Sequence, residues 1–295
     1  MKNLLALFVW LFLIPAANSF GQTFGCPVND FNCQLGRALR VLEDHPDDPE
    51  NVYNIGSVYQ RMGEHVRAIN SFTMYVSSKG LKPEYAADGY NNRGISHRAL
   101  KQFDLAISDY SKAVELSPKN PRFYVNRGNV SNDINKPDEA LADYNRAIAV
   151  DPAFALAFSN RGNLYVALKR LDEAVTDLSR AIELDPSNAE TFYTRAMAYR
   201  AKHQFEKAIP DLDKYIALNP GNNRYLADGY LNRGIAYSNL NDQDRAVKDM
   251  TKAIELVPEY ADAYGARAAT YRKLKMDDLA AADEQKFKAL TNRSN

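Results

Sequence analysis

Six arginines and six aspartates stand at matched places in this 295-residue chain. Arg93, Arg127, Arg161, Arg195, Arg233 and Arg267 are followed, each after the same interval, by Asp109, Asp143, Asp177, Asp211, Asp249 and Asp283. Where the arginine is missing, at Ile55, the aspartate is missing too, and Ser71 stands in its place. Joint presence and joint absence predict an ion pair inside each unit. If each aspartate served the next arginine instead, Arg93 would face Ser71. Such pairs are structural chemistry: a charge left half-buried without its partner is costly. A second polar series precedes them: Asn54, Asn92, Asn126, Asn160 and Asn232, joined by Asn129, Asn132 and Asn163. A carboxamide offers a donor and an acceptor, so it can grip a peptide unit without reading its side chain. The plainer role is a hydrogen bond to a loop or to water.

Other reactive residues are sparse. His45, His65, His97 and His203 make neither a His-x-x-x-His nor a His-Glu-x-x-His pattern, and no phosphate loop or nucleophile elbow is present. Acidic pairs such as Asp47-Asp48 and Asp277-Asp278 fall at expected helix starts, where charge suits the dipole. We expect no catalytic activity, no metal and no cofactor. Cys26 and Cys33 are the two cysteines. No histidine lies near them, and two thiolates do not complete a tetrahedral site.

These residues are positioned by a repeat. Asn-Arg-Gly recurs at Asn92, Asn126, Asn160 and Asn232, and a proline follows each glycine at Pro118, Pro152, Pro186 and Pro258. The period is 34 residues, which means a stacked array of similar units. Seven units align over 49–82, 87–120, 121–154, 155–188, 189–222, 227–260 and 261–294. Position 8 is Gly56, Gly94, Gly128, Gly162, Ala196, Gly234 and Ala268, and position 20 is alanine throughout, from Ala68 to Ala280. Two antiparallel helices approach closely only where one side chain is nearly absent, with large residues filling the grooves alongside. Apolar spacing of three and four marks both segments of each unit as amphipathic helices. Asp48-Pro49 and Asn120-Pro121 read as helix starts.

The pattern of small residues at 8 and 20, an aromatic at 4 (Tyr90, Tyr124, Phe158, Phe192, Tyr230, Tyr264) and proline at 32 resembles the tetratricopeptide repeat family. The resemblance implies an all-α, right-handed superhelical solenoid with a concave face made by the first helix of each pair. It implies protein or peptide binding without catalysis. It also puts position 6 on the concave face. In some relatives, the O-GlcNAc transferase arrays among them, an asparagine ladder there bonds an extended peptide. Asn92, Asn126, Asn129, Asn160, Asn163 and Asn232 are the candidate partner-binding residues on that ground. A clamp for chaperone C-termini is not expected, because no unit has lysine at position 5.

The ends depart from the repeat. Residues 31–44 read as a lone amphipathic capping helix, and Glu284 in the last helix stands where earlier units have Tyr110, Tyr144 or Leu178. Four extra residues follow units one and five, before the similar segments Tyr85-Ala86-Ala87-Asp88-Gly89-Tyr90 and Tyr225-Leu226-Ala227-Asp228-Gly229-Tyr230. That is about one helical turn, so the first helices of units two and six are expected to be longer. Position 27 before each insertion is Tyr75 or Tyr215, where most units have alanine. Either these tyrosines spread the joints and open grooves, or a duplicated block carried its own spacing along.

Lys2, the apolar run Leu4 to Ile14, Pro15 and the small residues Ala17 and Ser19 have the layout of a secretory signal over 1–19. The run is shorter than the ~18–20 residues of a membrane span. Residues 20–48 are then a leader with the capping helix, and 49–294 the array. Export puts Cys26 and Cys33 in an oxidising compartment, where a local disulfide is expected. The expected location is the periplasm or the exterior, with no stable membrane insertion after cleavage. Charge balances at 37 basic and 37 acidic residues, so no global basic field favours nucleic acid. The leading reading is an envelope adaptor holding another protein or an extended peptide. The alternative is a structural subunit docking through its convex face or ends.

Overall fold

The computed structural model describes residues 26–27, 29–46, 48–219 and 221–292, and the signal segment expected over 1–19 lies outside them. Among the described residues there are fifteen α-helices and no strand. Contacts divide the chain into two compact bodies, Met1–Lys136 and Pro137–Asn295. In the first, α1 (Phe31–Asp44) precedes a hairpin of α2 (Pro49–Arg61) and α3 (His65–Val76). A second hairpin follows, α4 (Pro83–Ala99) with α5 (Phe103–Leu116), and α6 (Pro121–Asp133) ends the body. The second body begins with α7 (Pro137–Val150). Its hairpins are α8 (Ala155–Ala167) with α9 (Leu171–Leu184), α10 (Ala189–Ala201) with α11 (Phe205–Leu218), α12 (Asn223–Asn239) with α13 (Gln243–Leu256), and α14 (Ala261–Lys273) with α15 (Asp277–Thr291). The helices are those expected from the period, including the lone α1. Leu42, with Leu35, Ala38 and Leu39, covers the apolar end of the first hairpin.

Local chemistry sets the ends. Asp48 accepts from the Glu50 amide at 2.9 Å and Asn120 from the Arg122 amide at 3.1 Å, each ahead of a first-turn proline. Each first helix is followed by a residue with left-handed backbone, Gly63 at φ 77° in the first unit and then Lys101, Asn135, Lys169, His203, Asn241 and Lys275 at φ between 55° and 62°. There the chain reverses, and the next amide bonds back to the helix, as Arg170 does to the Tyr165 carbonyl at 2.8 Å. Because these residues are mostly lysine and asparagine rather than glycine, the turn left little mark in the sequence.

The two helices of a hairpin meet where a side chain is missing. A Cβ on Gly94 would lie 2.9 Å from the Tyr110 ring, and one on Gly56 as close to Phe72. Both rings are buried. Beside this contact each arginine forks onto its aspartate. Arg93 donates Nε and Nη2 to Asp109 at 2.9 and 2.6 Å, and Arg161 to Asp177 at 2.6 and 2.8 Å. Arg195–Asp211, Arg233–Asp249 and Arg267–Asp283 have the same two-point geometry. Arg127 lies on α6 and Asp143, which is buried, on α7. Hydrogen bonds donated to these aspartates hold Arg93, Arg161, Arg195, Arg233 and Arg267 above the ordinary arginine pKa, against the opposing effect of burial.

The remaining nitrogen, Nη1, has a partner that the sequence pattern did not reveal. It reaches the second helix of the preceding unit: Thr73 from Arg93, Ser111 from Arg127, Asn145 from Arg161, Ser179 from Arg195, Asp213 from Arg233 and Thr251 from Arg267, at 2.5–3.1 Å. One guanidinium therefore ties three helices. Among the described residues no hairpin precedes the first unit, and its Ile55 is buried instead.

Removing one member of a paired half-buried charge should cost about 3 kcal/mol, and removing both should cost less than the sum of the single losses. Urea unfolding of Arg161→Ala, Asp177→Ala and the double variant measures this. A coupling below about 0.5 kcal/mol would show that the pair is decorative.

Candidate partner-binding face

The first helices of neighbouring hairpins touch within each body, α2 on α4, α4 on α6, α8 on α10 and α12 on α14. Their facing side chains carry the asparagine series. Asn92 on α4 donates to the Tyr53 hydroxyl of α2 at 2.8 Å. Asn126 on α6 donates to the Asn91 carbonyl oxygen of α4 at 2.7 Å. Asn232 on α12 donates to the Tyr193 hydroxyl of α10 at 3.1 Å and to the Asp228 carbonyl at 2.8 Å, and accepts from Arg200. Each thus reaches back to position 5 of the preceding unit. With both amide hydrogens used and only 7% exposure, Asn232 has little left for a ligand. These three carboxamides form a seam between hairpins, a use that pairs position 6 with position 5 and is invisible when each column is read alone. Asn129 and Asn160 are half-buried, whereas Asn163 on α8 is exposed, as is Leu156 one turn from Asn160 at 42%.

The two longer units are built alike. Their first helices, α4 and α12, have 17 residues against 13 in α2, α6, α8, α10 and α14. Tyr53 and Tyr75 rings pack at 4.9 Å between centroids, and Tyr193 and Tyr215 at 4.7 Å. A spreading of the joint by these tyrosines is not required, because a glycine faces each. A Cβ on Gly89 would lie 2.6 Å from Tyr75 and 2.7 Å from Val76, and one on Gly229 2.6 Å from Ile216 and 3.0 Å from Tyr215. Bulk on one helix is answered by its absence on the next. In the sequence this contact is marked by the glycine of the two Asp-Gly-Tyr segments.

Cys26 and Cys33 are joined by a disulfide. His97 is buried in the tyrosine's usual place, with Nδ1 2.6 Å from the Gln102 side-chain oxygen. Glu284 is held two-pointed by Arg272 at 2.7 and 2.9 Å, so the last helix is capped by an ion pair. Among the described residues no group of three or more His, Cys, Asp or Glu stands together as a metal site, and no helix is long and apolar enough to cross a membrane.

Two measurements probe the joint. Gly89→Ala should destabilise by about 1–3 kcal/mol through overpacking. Adding Tyr75→Ala, which restores the alanine of the ordinary joints, should recover at least about 1 kcal/mol relative to the sum of the single effects. Additive losses in urea would mean that the two residues do not meet. Second, burial, with lesser help from Tyr53, Asp88 and Glu50, pushes the Tyr75 phenol up to about 12 from its ordinary 10.0. The unfolded chain then releases this proton first, so stability should fall as pH rises above about 10 and stop falling on its account near 12. Tyr75→Phe should flatten that slope, and an unchanged slope would refute the assignment.

Comparison with known proteins accords with this geometry. Family models described as tetratricopeptide repeat match residues 87–120, 189–222 and 227–260, and one described as TPR repeat matches 132–169 and 162–202. The chain is 38% identical over 82 residues to a UDP-N-acetylglucosamine–peptide N-acetylglucosaminyltransferase from Giardia intestinalis. That match takes in 28% of this chain and spans only 5% of the relative's length. The solved structure of MamA protein is 27% identical, with 59% of this chain and 93% of that one covered and a TM-score of 0.52. The structure of Pseudomonas aeruginosa pilF, 17% identical, covers 73% of this chain and 94% of its own at a TM-score of 0.62, which is a likeness of fold. With small residues at the hairpin contact, left-handed turns at a fixed place and family matches over three stretches, the chain belongs to the tetratricopeptide repeat family.

Proposed function

We propose that this protein is a non-enzymatic scaffold of the cell envelope, exported by residues 1–19, that holds an extended segment of a partner on the first-helix face of its hairpins. The observation that carries this is the character of α8: Asn163 stands exposed, and Leu156 leaves an apolar side chain at 42% exposure on the same helix. A carboxamide for the partner's backbone and an apolar contact beside it are what an extended peptide requires. Membership of a repeat family whose members bind other proteins supports the reading. The sugar transfer of the Giardia relative is not carried over, because the match spans 5% of that enzyme. The Cys26–Cys33 bond supports an oxidising compartment.

The test is site-specific photo-crosslinking in the native envelope, with the photoreactive residue at Asn163 or at Glu183 on the second helix, whose side chain is 65% exposed. The proposal expects a partner adduct from Asn163. It also expects Asn163→Arg to abolish that partner's binding with no change in melting temperature, since the side chain is exposed. Adducts from Glu183 alone, indifferent to Asn163→Arg, would replace the proposal with docking through the outer face.

A further inference from the structure

Arg200 stands apart from the other half-buried arginines. It lies on α10 at the joint with α12, and its Nη1 donates to Asn232 Oδ1 and to the Met197 sulfur at 3.3 Å. Among the described residues no carboxylate comes within ion-pair distance of it. The joint's own carboxylate, Asp228, is taken: it accepts from the Tyr260 hydroxyl at 2.5 Å and faces Arg224 at 3.6 Å. Burial, opposed only by Tyr193, pulls the Arg200 pKa below the ordinary arginine value, whereas each forked arginine is raised. A desolvated cation without a counter-charge is destabilising, and the fold does not need it there. The equivalent place in the first body shows this. Gln60 on α2 bridges the same kind of joint with a neutral side chain, donating to the Asn92 carbonyl at 2.8 Å and to Ser96 Oγ at 2.9 Å, beside an identical Tyr–Asn bond.

The chain also shows what the Nε and Nη2 edge of a guanidinium holds when it is paired. In all five complete forks Nη1 reaches a neighbouring unit, while Nε and Nη2 together hold a carboxylate. Arg200 also has its Nη1 bonded across a joint, here to the following unit, and presents Nε and Nη2 with no protein acceptor among the described residues. We propose that Arg200, braced by Asn232 and Tyr193, is a binding site for a carboxylate carried by the partner segment, either an acidic side chain or a free C-terminus. This rests on the reading of the first-helix face as the peptide-holding surface and names one group that the peptide must carry.

The probes are three random octapeptide pools presented to the full protein: amidated pools with one central glutamate, acid-free pools with a free C-terminus, and acid-free amidated pools. Wild type should retain the glutamate pool or the free-terminus pool about tenfold over the acid-free amidated pool, as expected for one charge-assisted pair. Which of the two is retained identifies the carboxylate's source. Arg200→Gln, the side chain the first body already tolerates at this place, should reduce every pool to the level of the acid-free amidated one. In wild type, acetate should compete with the acidic pool and leave the neutral pool alone, a readout independent of any variant's folding. A preference that survives Arg200→Gln, or a wild type with no preference, overturns the carboxylate site while leaving peptide binding standing. Retention of no pool at all removes the peptide-holding reading, and this site with it.

Discussion

A guanidinium that serves two hairpins at once underlies the stack. The helix pairs are short, and a hairpin of some 13 plus 14 residues cannot bury its apolar face alone. The fork of Arg161 onto Asp177 fixes the register of its own two helices. Its third contact, to Asn145, ties that hairpin to the one before. Because the charge is half-buried, each of these bonds is stronger than at an open surface, and leaving any donor unmet is correspondingly costly. Apolar packing supplies most of the favourable free energy, but it is non-directional. The forks supply direction: they say which helix meets which, and at what height.

Close approach depends on the same economy of atoms. Gly94 admits the ring of Tyr110, and its hairpin closes. At the two unusual joints the exchange runs between units, with Tyr75 and Tyr215 filling space left by Gly89 and Gly229. Volume, rather than hydrophobicity, is what the pattern conserves from joint to joint.

Much of this was legible because it recurs. The period gave the helices, the small residues gave the hairpin contact, and the shared gain and loss of Arg and Asp gave the fork. Features without a column of their own leave no such mark. The left-handed turn hides behind Lys101, Lys169 and Lys275, because a lysine held in that conformation carries no glycine to mark it. The Thr, Ser, Asn and Asp side chains that receive Nη1 differ in type while agreeing in function, so inspection for identity passes over them. The family resemblance turns the asparagine column toward a ligand, yet Asn92 and Asn126 spend their amides on different partners one unit back, Tyr53 and Asn91. Such pairs are properties of the joint, and a single repeat aligned on itself cannot display them.

Every fork also points the same way along the chain. The arginine of a unit looks back to the hairpin that precedes it in sequence, never forward. A chain that emerges from its N-terminus therefore always presents each new guanidinium to a surface already laid down. Shortening from the C-terminal end leaves behind only hydroxyls, an amide or the Asp213 carboxylate, which water satisfies. Shortening from the other end strands a cation whose third bond has gone. The array has a vectorial grain: it is built to grow toward its C-terminus and to be trimmed from that same end.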